Sequence, residues 1–165
     1  MKKSDNKVVN LFEESNKGIQ KTVITETMKM KRGGSLSNPV LAYETWGKLS
    51  KSKDNVVVIL TGLSASSHVD SSNSDPNTGW WEVIVGPDKA IDTNKFYVVC
   101  VNSLGSCFGS TGPASINQST GEPFRLTFPE LTIDDMATAT KFLLDKLGIK
   151  QINTLVGPSM GGMHA

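Results

Sequence analysis

An α/β fold, with an antiparallel start running into a parallel sheet flanked by helices, is predicted by three observations. Residues 56–60 and 96–101 are continuously apolar and rich in β-branched side chains. Such runs belong to strands buried on both faces, as in the middle of a parallel sheet. Residues 132–147 carry Ile133, Met136, Ala137, Thr140, Leu143, Leu144 and Leu147 as one stripe at helical spacing. A strand-like segment at 152–156, Ile-Asn-Thr-Leu-Val, then leads into Gly157-x-Ser159-x-Gly161.

The elements follow in chain order. Residues 1–18 are polar and lysine-rich and read as an N-terminal arm, with a short docking element at 8–12; residues 19–165 form the core domain. Residues 20–30 alternate in polarity, 31–35 form a turn and 40–46 a second strand, so 20–46 reads as an antiparallel hairpin. Strand 56–60 opens into the small-residue loop Thr61-Gly62-Leu63-Ser64. A helix is predicted to start at Trp80 after Gly79 and to stop at Gly86-Pro87. After strand 96–101, residues 102–124 are aperiodic and rich in Gly, Ser and Pro; a loop of that length usually carries function or is disordered. Thr132 and Asp135 resemble a capping box at the start of the clearest helix, and Gly148 ends it. The order is β-β-β-α-β-α-β, with strand 151–156 last and no repeats.

The Gly157-x-Ser159-x-Gly161 segment, preceded by a strand, has the nucleophile-elbow pattern of the α/β-hydrolase fold. A strand turns sharply into a helix with the serine strained at the apex. The glycines two positions either side remove side chains that would collide. Ser159 is the expected nucleophile, and the Met160 amide at the helix start the first oxyanion donor. The second donor in this fold comes from the loop after an earlier core strand, here the Leu63 amide. In this fold the serine precedes its Asp or Glu and then its His, so both triad partners are expected beyond Ala165. A complete fold of this kind needs roughly 200–250 residues, and the chain therefore reads as an N-terminal half ending just after the elbow.

Composition narrows the function class. With 17 basic and 16 acidic residues the net charge is +1, which gives no electrostatic basis for binding nucleic acid or an anionic membrane. There is no apolar segment long enough for a signal peptide core or a membrane span, so a soluble cytoplasmic protein is expected. Cys100 and Cys107 fit neither zinc spacing nor a disulfide framework; Cys100 reads as a buried thiol and Cys107 as a loop residue. No metal or resident cofactor is expected. His164, five residues past Ser159, lies roughly 140° around a helix from it and reads as a packing or surface residue rather than the base. His68 reads as a structural or entrance residue, Asp134 and Asp135 as helix-start charges, Asp92 as a turn residue, and Trp80 with Trp81 as core. The glycine-rich stretch 105–112 lacks the Lys-Ser or Lys-Thr of a phosphate loop.

Several further segments resemble the homoserine O-acetyltransferase family: Thr61-Gly62-Leu63-Ser64, Ser67-His68-Val69, Gly79-Trp80-Trp81-Glu82, residues 84–93, Gly109-Ser110-Thr111-Gly112-Pro113, residues 128–136 and residues 157–163. The resemblance runs from about residue 20 onward. It implies an α/β-hydrolase-fold acyltransferase of methionine or cysteine biosynthesis. Ser159 would take an acyl group from an acyl-CoA co-substrate and pass it to an amino-acid hydroxyl in a ping-pong cycle. It also implies that the family's helical lid and substrate-binding Arg lie outside this sequence, and leaves a homodimeric full-length form open. Many members have His-Ala-Leu-Thr where this chain has Thr61-Gly62-Leu63-Ser64. That variant resembles the serine O-acetyl- and O-succinyltransferase branch, and leaves open homoserine or serine as acceptor and acetyl-CoA or succinyl-CoA as donor. Two other readings of the same elbow are an esterase or thioesterase, for which water alone suffices, and a non-catalytic fragment.

Overall fold

The computed structural model describes residues 18–24 and 26–165. The expected N-terminal arm and its 8–12 docking element lie, apart from Gly18, outside the described residues. A five-stranded sheet has the order β1-β4-β8-β5-β9, built from β1 (Gln20–Val23), β4 (Val40–Trp46), β5 (Val56–Leu60), β8 (Tyr97–Val101) and β9 (Thr154–Val156). β1, β4 and β8 pair antiparallel, whereas β8, β5 and β9 run parallel. Two small ladders flank it: β2 (Met28–Lys29) with β3 (Ser35–Leu36), and β6 (Val85–Gly86) with β7 (Ile91–Asp92).

All five residues of β5 and all five of β8 are buried. Their alternation divides them between two cores. Val56, Val58, Leu60, Val99 and Val101 meet Ala139, Leu143 and Leu144 of helix α1 (Ile133–Lys146). Val57, Ile59, Val98 and Cys100 face the opposite side, where Trp46, Val69 and Val85 pack with the partly buried Trp80 and Trp81. A strand covered on both faces has no position left for a polar side chain, which is why these runs read as continuously apolar.

Helix α1 is bounded as its sequence predicts. Thr132 is the N-cap and the reciprocal capping box with Asp135 is formed. At the other end Gly148, at φ 68°, lets its N–H reach the Asp145 carbonyl while Ile149 N–H reaches that of Leu144. This is the Schellman arrangement. The buried face centres on Asp135, Ala139, Thr140, Leu143 and Leu144, while Ile133, Met136 and Ala137 are only half-buried. The stripe is thus turned slightly from the one predicted.

Asp135 does more than cap. Its Oδ2 accepts from the Thr132 N–H and hydroxyl, both at 2.8 Å, and its Oδ1 accepts from the Lys31 N–H at 3.0 Å, pinning the β2–β3 hairpin to the helix. Burial alone would raise its pKa, but the Thr132 and Lys31 contacts outweigh burial and hold it below the usual carboxylate range. Asp135→Ala is expected to cost about 1–3 kcal/mol in urea unfolding, because buried donors lose their acceptor. Since the folded-state pKa is depressed, this contribution is present above the ordinary aspartate value and is lost as pH falls through the lowered one. Unfolding midpoints in acid should therefore converge for wild type and variant.

Three expectations are corrected. The 20–46 hairpin is not one ladder: β1 pairs with residues 40–43 of β4, while 28–29 and 35–36 form a separate small hairpin between them. Trp80–Val85 is not a helix but one isolated turn. Trp80 and Trp81 direct their N–H groups to the carbonyls of His68 and Val69, and Gly86-Pro87 follows at once. The element order therefore has no helix between β5 and β8 among the described residues. The last strand is Thr154–Val156 rather than 151–156.

Candidate active site

β5 and β9 are parallel neighbours, so their carboxyl ends lie side by side. The loop 61–66 leaves one and the elbow leaves the other. Ser159 occupies the apex with φ 53° and ψ −122°, a conformation that side-chain-bearing residues rarely adopt, immediately before the short helix α2 (Met160–His164). Its side chain is exposed. A Cβ on Gly157 would sit 2.2 Å from the Gly161 carbonyl carbon, and one on Gly161 would sit 2.0 Å from the Leu60 carbonyl oxygen. The two glycines thus let the elbow close on itself and onto the end of β5.

The loop after β5 abuts the elbow: the Cβ position of Gly62 lies 3.6 Å from the Pro158 carbonyl oxygen and 3.8 Å from Ser159 Cβ. Among the described residues the N–H groups of Leu63 and Met160 donate to no protein acceptor. Both residues line one cavity of about 550 Å³, with Leu104, Phe128, Leu131 and Met136 among its other walls. Ser159 is not among the residues that line this cavity, but it adjoins it through Met160, and the Gly62 contact places the elbow beside the loop that carries Leu63.

Neither histidine joins them. His164, the last residue of α2, is buried beside Leu60, Thr140 and Leu144, and its Nε2 has no hydrogen-bond partner among the described residues. Burial pushes its pKa below the ordinary imidazole value. His68 instead contacts Glu44 Oε2 through Nδ1 at 3.0 Å and the Asn77 carbonyl oxygen through Nε2 at 2.8 Å. Asp92 caps its own turn, accepting from the N–H groups of Asp88 and Asn94. Among the described residues no three His, Cys, Asp or Glu side chains converge as a metal site, and no helix is long and apolar enough to cross a membrane. Cys100 is buried and Cys107 exposed.

Sequence reasoning missed Glu44, Ser67, Asn102 and Ser110, a buried polar group beneath the two loops of the cavity. Ser67 and Ser110 lay in segments noted only for their resemblance, and the local signal was Glu44, an acidic residue inside a mostly apolar strand.

The fold and the elbow define the class: a sequence model of the α/β hydrolase fold matches residues 55–165, and the chain belongs to that family. Within it, the chain is 52% identical over 138 residues to a serine O-succinyltransferase of Litchfieldella anticariensis and 56% identical over 135 residues to one of Stenotrophomonas maltophilia. These matches cover 84% and 82% of this chain but 38% and 36% of those proteins. Among solved structures, esterase E22 superimposes with a TM-score of 0.79 at 38% identity, and a homoserine O-acetyltransferase from Bacillus anthracis with 0.80 at 34%. Each covers 89% of this chain, which corresponds to 42% and 41% of those structures.

Proposed function

We propose that this chain carries the nucleophile and oxyanion hole of an O-acyltransferase that moves an acyl group from acyl-CoA to the hydroxyl of serine or homoserine. The observation that carries the reading is Ser159 held at positive φ beside the Leu63 loop and the Met160 amide. The Ser159 oxygen attacks the thioester carbonyl, the C–S bond breaks, and CoA leaves as the thiol with the proton the serine gave up. The amino-acid hydroxyl then attacks the acyl-enzyme ester, the bond between the acyl carbon and Ser159 Oγ breaks, and the proton returns to Ser159. The Leu63 and Met160 amides stabilise each tetrahedral oxyanion. Both proton transfers need a base, which neither His68 nor His164 supplies. The named relatives favour succinyl-CoA as donor and serine as acceptor; acetyl-CoA and homoserine are the alternatives. No resident cofactor takes part, and the reaction belongs to soluble amino-acid biosynthesis.

The test is intact-mass analysis of the natural-length protein after exposure to succinyl-CoA or acetyl-CoA, followed by serine or homoserine. An acyl adduct that forms with one donor and is discharged by one acceptor is expected. The similarity to esterase E22 supports a second reading, a hydrolase. Rapid CoA release without any amino acid would favour it and overturn the transferase.

The Leu63 side chain is 78% exposed, so the proposed role rests on its N–H alone. Leu63→Ala is expected to leave kcat near wild type. Leu63→Pro removes the donor and is expected to lower kcat on the order of 100–1000-fold, measured as CoA release with the acceptor present.

A further inference from the structure

Each ring nitrogen of His68 faces an oxygen. The Asn77 carbonyl 2.8 Å from Nε2 can only accept, so Nε2 carries a hydrogen. Nδ1 lies 3.0 Å from Oε2 of the Glu44 carboxyl group, which is 1% exposed within β4. With Glu44 ionised, Nδ1 donates as well, and the ring is an imidazolium paired with a buried carboxylate. The other Glu44 oxygen accepts from the Ser67 hydroxyl at 3.0 Å. Ser67 is bound twice to Asn102, through its N–H to Oδ1 at 2.7 Å and as acceptor from Nδ2 at 2.9 Å. Asn102 also donates to the Phe108 carbonyl at 2.9 Å, and its own carbonyl accepts from the Ser110 hydroxyl at 2.6 Å. Ser110 Oγ in turn accepts from the Ala42 N–H at 3.0 Å, back on β4.

These contacts flank both loops that wall the cavity: Ser67 follows 61–65 closely, and Asn102 and Phe108 bracket 103–107. We propose that the Glu44–His68 ion pair, through Ser67 and Asn102, is a positioning device that locks both loops to β4 and so fixes the Leu63 amide relative to Ser159. The proposal rests on the acyltransfer reading of Ser159 and Leu63. Neither Glu44 nor His68 contacts the reacting atoms; both act through the loops.

The surroundings of the pair set its pH response. Burial alone would lower the imidazole pKa, but the Glu44 bond and charge, the Asn77 carbonyl and Asp75, whose Oδ2 lies 3.8 Å from Nδ1, raise it above the ordinary value. Asp70 also feels His68, and is itself faced by Lys89 and Glu82; Cys100 on β8 feels the charge of Glu44. A raised imidazole pKa means the contribution is fully present below about pH 6.5 and is lost as pH rises through the raised value.

The test uses the natural-length protein. Nitrogen-15 correlation spectra, with the His68 signal assigned by its loss in His68→Gln, should show both ring N–H groups near neutral pH and titration above the ordinary imidazole range. A neutral tautomer, or titration at or below that range, overturns the ion pair whatever the activity shows. In kinetics, His68→Gln and the milder Ser67→Ala are expected to lower kcat for acylation by about 10–100-fold, the cost typical of misplacing a catalytic group by an ångström, with a smaller change in KM. His68→Gln should also remove the wild-type fall in kcat as pH rises through the His68 titration. Ser67→Ala with wild-type kcat, or an unchanged pH profile in His68→Gln, overturns the positioning role. Failure of the acyltransfer reading is separately visible, as rapid CoA release without any amino-acid acceptor or as an acyl adduct that persists in Ser159→Ala.

Discussion

Ser159→Ala is expected to abolish the acyl adduct and to lower kcat on the order of 10⁴–10⁶-fold, the range seen when a nucleophile that works with a base is deleted. The loss should fall on chemistry, not folding. The Ser159 side chain is exposed and makes no hydrogen bond among the described residues, so removing its hydroxyl leaves no buried partner unsatisfied. Ser159→Gly separates the two effects further. At φ 53° any side chain stores strain of order 1–3 kcal/mol, part of which glycine relieves, offset by its greater freedom in the unfolded chain. The glycine variant should therefore be inactive yet at least as stable as wild type, by up to about 1 kcal/mol in denaturant titration. A loss of stability larger than the roughly 1 kcal/mol that glycine's unfolded-state freedom costs would mean that the elbow is unstrained.

Gly161→Ala is expected to produce the largest stability loss, about 3 kcal/mol or more. The new methyl would lie 2.0 Å from the Leu60 carbonyl oxygen, 2.7 Å from its carbon and 3.0 Å from the Thr61 carbonyl oxygen. All three are backbone atoms at the end of the central strand and none can rotate away, so either β5 or the elbow must move. With domain stabilities of roughly 5–15 kcal/mol, expression in inclusion bodies or a melting point lower by about 6–12 °C is the expected readout. Gly62→Ala is the control. Its nearest contact would be 3.6 Å and its φ is not positive, so its melting point should stay close to wild type.

Much of this was legible in the residues. Strands β5 and β8 were visible because sheet neighbours and cover on both faces force every position to be apolar. Helix α1 was visible because its signals are local: the Thr132–Asp135 pair, the apolar stripe and Gly148 all fall within one segment. The elbow was legible because its glycines answer a steric demand made by the chain next to them. What was hidden depended on distant partners. The turn at Trp80 has helix-compatible residues, but its N–H groups are taken by the carbonyls of His68 and Val69. Residues 20–30 alternate like a single strand, yet β4 pairs only with their first part. Glu44 and His68 are 24 positions apart, and nothing in either neighbourhood announces the other.

The two thiols have very different surroundings, and this gives the molecule a chemical handle. Cys100 lies in the middle of β8 with no exposed surface, where burial, and then the charge of Glu44, push its ionisation well above the usual thiol range. Cys107 is exposed on the rim of the 550 Å³ cavity. An alkylating fluorophore or a disulfide-tethered fragment will therefore couple to one of the two cysteines of this chain, at the mouth of the cavity that Leu63 and Met160 line. Occupancy of that mouth becomes an optical signal, and compounds that fill it are selectable by covalent capture, without altering Ser159.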